Sequence, residues 1–179
     1  MTFDDVLNFW FEEIDQSKWW VKDEVFDQLI RDRFLQLHEQ AVRCELFSWR
    51  ISPQGRLAEV ILLDQFSRNM FRDTPNAFAF DSQALILAQE AIHIEADLAL
   101  TETQRSFLYM PFMHSESLKI HEEAVPIFKR LGKEGTLRFE IRHKEIIETF
   151  GRYPHRNKIL GRESSAEEIK FLQQPGSSF

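Results

Sequence analysis

Residues 26–44 read FDQLIRDRFLQLHEQAVRC, and apolar side chains recur there at every third or fourth position. This spacing is typical of one face of an α-helix, because 3.6 residues complete a turn. The stripe consists of Phe26, Leu29, Ile30, Arg33, Phe34, Leu37, Ala41 and Cys44. We therefore expect a long helix with a buried face, and we expect Cys44 to lie in the core.

The same helical spacing extends over the rest of the chain. An opening helix is predicted by Phe3, Leu7, Trp10, Phe11 and Ile14. Later starts or turns are indicated by Ser52-Pro53, Thr74-Pro75, Thr101 with Gln104, Gly132 with Gly135, and Ser164 with Glu167. Strand signals are nearly absent, so the sequence predicts an all-α fold of antiparallel helical hairpins or a bundle, in a single domain over residues 1–179.

Composition and charge narrow the function classes. The formal net charge of -7 makes the chain a poor partner for duplex nucleic acid, and no apolar run approaches the ~20 residues of a membrane span. One cysteine excludes an intramolecular disulfide, and no signal peptide is visible, so we expect a cytoplasmic protein. A small ligand or a protein partner is favoured, without a cofactor; the oligomeric state stays open.

A basic segment, GRYPHRNKILGR at residues 151–162, stands out in this acidic chain. Gly151 suits a helix C-cap and Pro154 prevents helical continuation, so a structured loop is expected. The guanidinium forks of Arg152, Arg156 and Arg162 suit a phosphate or carboxylate ligand, and His155 and Asn157 add hydrogen-bonding groups. The alternative is that these arginines cap helices or pair with carboxylates of the chain itself.

A second polar set interrupts the helix predicted from Arg56 to Phe71. Asp64 and Arg68 are four residues apart on its inward face, so the two side chains can form an ion pair. Gln65 and Asn69 lie at the edge of the same arc. Asp64 and Arg68 serve either as a buried structural pair or as a carboxylate that orients an arginine toward a ligand.

Two histidines interrupt apolar stripes in the same way. His114 follows Phe107 and Met110 at helical spacing, although Pro111 should kink or divide that helix, and His143 lies in the stripe of residues 139–150. Each is either a core histidine or a member of one polar site with Asp64 and Arg68.

The same histidines prompt a metal hypothesis. His114 and His121 are seven residues apart, about 10 Å along a helix, and Glu116 points elsewhere. His114, His143 and Asp64 could bind a metal only if the fold brings them together, so we expect no metal.

Four separated motifs resemble a known family: LLDQFSRN at 62–69, FLYMPFMHSE at 107–116, FGRYPHRN followed by ILGR at 150–162, and PGSSF at 175–179. The resemblance is to DUF924, a bacterial family of unknown function, and runs nearly end to end. It implies a tetratricopeptide-like right-handed array of helical hairpins and no established activity. The family's polar signature corresponds here to Asp64, Gln65, Arg68, Asn69, His114, Ser115, Glu116, His143, Arg152, Pro154, His155, Arg156, Asn157 and Arg162.

The chain departs from the family pattern at two positions. Ser67 stands in place of a proline, which should remove a helix irregularity beside Arg68. His121 stands in place of a glutamine, which puts a role for that position in doubt.

The sequence leaves three functions open. The leading hypothesis is a helical protein that binds a small anionic ligand or an acidic peptide through arginines and His155. An enzyme would use His114 or His143 for acid–base chemistry, with Asp64 as the orienting carboxylate, in a hydrolysis reaction. A third alternative is a protein-docking scaffold whose inward polar residues only fix the fold.

Overall fold

The computed structural model describes residues 1–178, and these residues form helices and turns without a β-strand. The predicted all-α class is therefore confirmed. The α-helices are α1 (Phe3–Asn8), α2 (Glu24–Val42), α3 (Pro53–Ile61), α4 (Ser67–Met70), α5 (Asp81–His93), α6 (Glu102–Met113), α7 (Leu118–Leu131), α8 (Glu134–Phe150) and α9 (Ala166–Leu172). Short 3-10 and π-helical turns connect several of them.

The chain forms two compact units. Unit 1 contains Met1–Arg72 and Asn76–Pro111, and unit 2 contains Asp73–Pro75 and the chain from Phe112 onward. No helix within the described residues is both long enough and apolar enough to cross a membrane.

Unit 1 has an aromatic core. The rings of Phe9 and Phe34 lie 4.9 Å apart, and that of Phe66 lies 5.0 Å from Phe34. Trp10 meets Phe66 at 5.4 Å and Phe107 at 5.7 Å, in edge-to-face arrangements that are favourable for aromatic rings. The opening helix predicted from the sequence supplies Phe9 and Trp10, which both lie in the π-helical turn that follows α1.

Helix α2 confirms most of the stripe that indicated it. Phe26, Ile30 and Phe34 are buried, and the Asp23 carboxylate accepts hydrogen bonds from the first turn. The prediction for Cys44 was wrong, because α2 ends at Val42 and Cys44 adopts a left-handed conformation with φ of 58°. Its thiol is exposed, since the stripe holds only while the helix continues.

The capping signals were right at two helix starts. The Ser52 hydroxyl accepts from the Gly55 amide, with Pro53 as the first residue of α3. Thr101 and Gln104 make the two reciprocal bonds of a capping box before α6.

Three other boundary predictions need correction. After Thr74, Pro75–Ala77 forms only a 3-10 turn, and α5 starts at Asp81. The capping box of α9 uses Ser165 and Glu168, one residue beyond the predicted Ser164 and Glu167. Gly135 lies within α8, so the turn needs only Gly132, whose φ of 80° ends α7.

The predicted helix from Arg56 to Phe71 is not one regular α-helix. A π-helical turn at Leu62–Phe66 separates α3 from α4 and ends just before Ser67. The expectation that Ser67 removes an irregularity was therefore wrong. A π turn holds one extra residue in the helix, so side chains beyond it are rotated relative to the predicted stripe.

Pro111 lies inside α6 without dividing it, contrary to one alternative of the prediction. Helix α6 ends at Met113, so His114 lies in the following turn and does not continue the helical stripe. The backbone of this turn, and not helical periodicity, sets the direction of His114.

Unit 2 is built on the α7–α8 hairpin. Only Gly132 and Lys133 separate the two helices, which pack against each other as a short connection requires. Ile146, Ile147 and Tyr153 form its buried apolar cluster, with Phe150 and Phe171 packed against them. The tetratricopeptide-like arrangement of hairpins stays a prediction.

Candidate functional site

The polar residues of the 62–69 motif bind one another and their neighbours in unit 1. The predicted pair of Asp64 and Arg68 forms, with 3.1 Å between nitrogen and oxygen, and Asp64 is fully buried. Arg68 also holds both oxygens of Asp81 at 2.8 and 2.9 Å. Its guanidinium fork is therefore bound to a carboxylate at the start of α5.

The neighbouring polar side chains also have partners within unit 1. The Gln65 amide donates to Asp64 at 2.5 Å and to the Met110 sulfur at 3.3 Å. Asn69 donates to Asp27 at 2.8 Å. These contacts fit the structural alternative for the 62–69 motif.

The loop after α8 begins as predicted. Gly151 has φ of 68° and ends the helix, and Pro154–Arg156 forms a 3-10 turn. The Arg162 guanidinium then makes a bidentate ion pair with Glu116, at 2.6 and 2.8 Å. Its Nε donates to Asn157, so Arg162 ties the loop to the turn after α6.

Glu116 is held from a second side by the Tyr153 amide at 2.8 Å. Burial raises the pKa of the Glu116 carboxyl, but the bonds from Arg162 and Tyr153 outweigh burial and hold the pKa below its usual value. Glu116 is therefore a carboxylate that positions the loop.

Arg152 is engaged in the same way. Its Nε and Nη2 donate to the two oxygens of Glu168 at 2.7 and 2.8 Å, and Nη2 also donates to the Glu163 carbonyl. The hydrogen bond from Arg152 lowers the pKa of Glu168 to about 2. Asn157 donates to Ser164 at 3.1 Å. Arg152, Arg162 and Asn157 thus connect the loop to the rest of unit 2.

One arginine and two histidines lie against the buried ring of Tyr153. The Arg156 guanidinium carbon lies 4.7 Å from the ring centre, and the rings of His143 and His155 each lie 5.7 Å from it. Arg156 also donates to the His114 carbonyl at 3.1 Å. We call Tyr153, His114, His143, His155 and Arg156 the Tyr153 cluster.

Burial within the Tyr153 cluster is graded. Tyr153, His143 and Arg156 are 0%, 4% and 5% exposed, whereas His114 and His155 are half-buried. The cluster therefore has an inner part closed to water and an outer part that solvent reaches.

His143 is inward-facing as predicted, and its hydrogen bond fixes its tautomer. Nδ1 lies 2.7 Å from the Phe139 carbonyl, which can only accept, so Nδ1 carries the proton. Burial lowers the pKa of His143 to about 3; the Phe139 bond opposes this, and His114, His121 and His155 add to it. His143 is a neutral imidazole whose Nε2 has a lone pair.

His121, whose role was in doubt from the sequence, is fully buried and contacts Tyr153. Its Nε2 lies 2.9 Å from the Ser115 carbonyl and 3.0 Å from the Tyr153 hydroxyl, and Nδ1 lies 2.7 Å from Glu140. These contacts give His121 a structural role in unit 2. A helical stripe through His121, Ala124 and Phe128 would have indicated its inward direction.

A buried pair in unit 1 was also missed. His38 Nε2 and the Ser67 hydroxyl lie 2.8 Å apart, and both residues are closed to solvent. Burial lowers the pKa of His38 to about 4. The imidazole is then neutral, and its tautomer sets whether Nε2 accepts from the Ser67 hydroxyl or donates to it.

The next question is whether side chains are grouped so that they could bind a metal ion. Among the residues that the structure describes, no three His, Cys, Asp or Glu side chains are grouped so that they could hold an ion. Asp64 belongs to unit 1, whereas His114 and His143 belong to unit 2. A polar site shared by these three residues stays a prediction.

The fold and contacts define an all-α protein with a histidine- and arginine-rich cluster around a buried tyrosine. Residues 6–176 match the family described as bacterial protein of unknown function, DUF924, and the chain belongs to this family. It is also similar to a solved structure, that of the protein of unknown function ATU0120 from Agrobacterium tumefaciens. That similarity covers 96% of each chain, with 39% sequence identity and a TM-score of 0.91. No curated protein matches this chain significantly.

Proposed function

We propose that unit 2 binds a small anion at the Tyr153 cluster. The observation that carries the proposal is the grouping of one guanidinium and two imidazoles around a single buried ring, at 4.7 to 5.7 Å. An arginine donor in a partly closed site binds an anion more strongly than the same group does in water.

The three arginines of the loop have different partners, and this difference supports the proposal. Arg152 and Arg162 hold Glu168 and Glu116 in bidentate pairs, which suits a role in shaping the loop. Arg156 is assigned to the ligand because its guanidinium lies over the Tyr153 ring and donates to the backbone carbonyl of the half-buried His114.

Arg68, Asp64, Gln65 and Asn69 are left out of the proposed site. Their side chains are bound to Asp81, Met110 and Asp27 within unit 1, which favours a structural role. The proposal therefore narrows the ligand contacts to His114, His143, His155 and Arg156.

For His143, a role in ligand binding is favoured over acid–base catalysis. An effective general acid–base group has a pKa near the working pH, whereas burial lowers the pKa of His143 to about 3. A cytoplasmic location is part of the same proposal, in keeping with the single cysteine.

A thermal-shift screen tests the proposal. Phosphate, sulfate, citrate and acetate are compared with chloride at constant ionic strength, because a ligand at 100 times its dissociation constant stabilises a protein by about 2.7 kcal/mol. At least one anion should raise the melting temperature by several degrees in the wild type.

Two variants make the screen specific. Arg156→Gln should remove the shift, whereas Arg138→Gln deletes the same charge from an exposed position on α8 and should keep it. A shift that survives in Arg156→Gln, or no shift with any anion, would contradict the proposed site.

A further inference from the structure

We infer that a second copy of the chain docks on the exposed face of α2, so that two α2 helices pack antiparallel across a two-fold axis. This inference is independent of the anion site, because α2 belongs to unit 1 and the Tyr153 cluster belongs to unit 2.

The first observation is a pair of apolar side chains on the outer face of α2. Val25 and Leu29 are one turn apart and are 81% and 48% exposed, whereas Phe26 on the inner face is buried. Trp20 and Val21, which come shortly before the helix, are also exposed. Several exposed apolar side chains in one region mark an interaction site, whereas single scattered ones do not.

The second observation is the charge at the two ends of this face. Lys22 lies directly before the N-cap residue Asp23, and Asp32 lies three residues beyond Leu29; the side chains of Lys22 and Asp32 are both exposed. The Asp32 carboxylate accepts from the Gln28 amide at 2.6 Å, a neutral partner that does not cancel its charge. The face therefore has a positive end, an apolar middle and a negative end.

Such a face is its own complement under a two-fold rotation. In an antiparallel pair of α2 helices, Val25 of one copy can lie opposite Leu29 of the other. Lys22 of the first copy then comes opposite Asp32 of the second, because each is three positions outward from the apolar pair. Lys22 precedes the helix proper, and its flexible four-carbon stem can follow the offset of the chain there.

The same charges decide the direction and the occupant. A parallel pair would place Lys22 against Lys22 and Asp32 against Asp32, and like charges across an interface repel. The antiparallel pair repeats each favourable contact twice, as in the two-fold interface of a homodimer. A second copy therefore matches both the apolar middle and the two charged ends.

The size of the face sets the expected affinity. Stable complexes bury about 800 Å² per partner, and a single helix face provides an interface at the small end of the range. We therefore expect a weak dimer with a dissociation constant of about 10 to 100 µM.

Sedimentation equilibrium of the full chain between about 1 µM and about 1 mM measures this association. The average mass should rise with concentration from 21.3 kDa toward twice that value. Val25→Glu should keep the protein monomeric throughout. Ile51→Glu, which changes a 92% exposed side chain in the 3-10 turn before α3, is the matched control and should associate like wild type. Both positions are exposed, so neither substitution disturbs the core.

An exchange of the two charges tests the register. Lys22→Glu alone should weaken dimerisation about 10-fold, because it replaces two attractive contacts with repulsive ones. Lys22 also interacts within its own chain, so this loss by itself does not identify the partner. Lys22→Glu combined with Asp32→Lys restores opposite charges and should return the dissociation constant to within about threefold of wild type.

Three results would overturn the inference. A mass of 21.3 kDa at every concentration would exclude a second copy and leave the face to a different protein. Dimerisation of Val25→Glu at wild-type strength would place the contact on another surface. Failure of the double variant to recover would exclude the antiparallel register.

Discussion

Nδ1 of His121 lies 2.7 Å from the Glu140 carboxyl, and this contact between α7 and α8 is fully buried. Burial raises the pKa of Glu140, while the bond to His121 opposes the rise. The second oxygen of Glu140 makes no hydrogen bond to the residues that the structure describes. One hydrogen bond therefore joins Oε1 to Nδ1, and the other side of the imidazole contacts the Tyr153 hydroxyl.

Removing His121 should destabilise the protein strongly. His121→Ala should lower the free energy of unfolding by about 3 kcal/mol, because it opens a cavity and strands a buried acid. Glu140→Gln should lose less than about 1 kcal/mol, because an amide can donate to Nδ1. Urea unfolding measures both values, with the exposed His93→Ala as control. If His121→Ala and His93→Ala lower the free energy of unfolding equally, the His121–Glu140 pair does not stabilise the protein.

The Arg152–Glu168 ion pair should make the free energy of unfolding depend on pH in the acidic range. The pKa of Glu168 is about 2 in the folded protein, below its ordinary value of 4.5, because Arg152 bonds the carboxylate. Its contribution is fully present above pH 4.5 and is lost as the pH falls toward 2. The change in unfolding free energy between pH 6 and pH 3 should be smaller in Glu168→Gln than in wild type. The neighbouring exposed Glu167→Gln should behave like wild type, and a uniform acid response in all three proteins would argue against this pair.

The Ser67 hydroxyl should stabilise unit 1 through His38. Ser67→Ala should lower the free energy of unfolding by about 1 to 3 kcal/mol, because it leaves the buried Nε2 of His38 without its bond at 2.8 Å. Chemical denaturation compares this variant with Ser48→Ala, at an exposed position. A loss no larger than that of the Ser48 variant would mean that the bond contributes nothing.

Buried neutral histidines should also weaken the protein below neutral pH. The pKa values of His38 and His143 are about 4 and about 3, against an ordinary 6.5, because burial disfavours the charged imidazole. Their contribution is present above pH 6.5 and falls as the pH drops toward these values, by about 1.4 kcal/mol per pH unit for each ring.

His38→Gln isolates one of these two rings, because glutamine does not titrate. The slope of unfolding free energy against pH, measured between pH 6 and pH 5, should fall by about 1.4 kcal/mol per unit in this variant. His93→Gln, at an exposed site, is the matched control. An unchanged slope in His38→Gln would show that His38 takes up its proton without disturbing the fold.

The helices could be predicted because their signals are local. The stripe of α2 and the caps at Ser52 and Thr101 each depend on residues within one or two turns. A helix boundary was harder to predict where two adjacent residues could both cap the helix. Ser164 and Ser165 are equivalent as caps, and the contact of Glu168 with Arg152 favours the second.

For the candidate site, the sequence indicated the residue types but not their contacts. The basic loop was evident, but its partners lie far along the chain, as with Glu116, 46 residues before Arg162. His121 and Glu140 meet through the packing of two helices, which periodicity alone does not specify. Sequence therefore indicated which side chains are unusual, and tertiary packing decided which arginines are bound by carboxylates.

Nitrogen-15 NMR of the six histidine rings during a titration with inorganic phosphate tests the anion site most directly. The signals of His143 and His155 should shift and saturate with one dissociation constant, and His143 should show a proton on Nδ1. The exposed His93 should not follow them. Two results would contradict anion binding at Tyr153. In the first, the signals of His93 and of the cluster shift in parallel and no signal saturates. In the second, the signals of the cluster do not change.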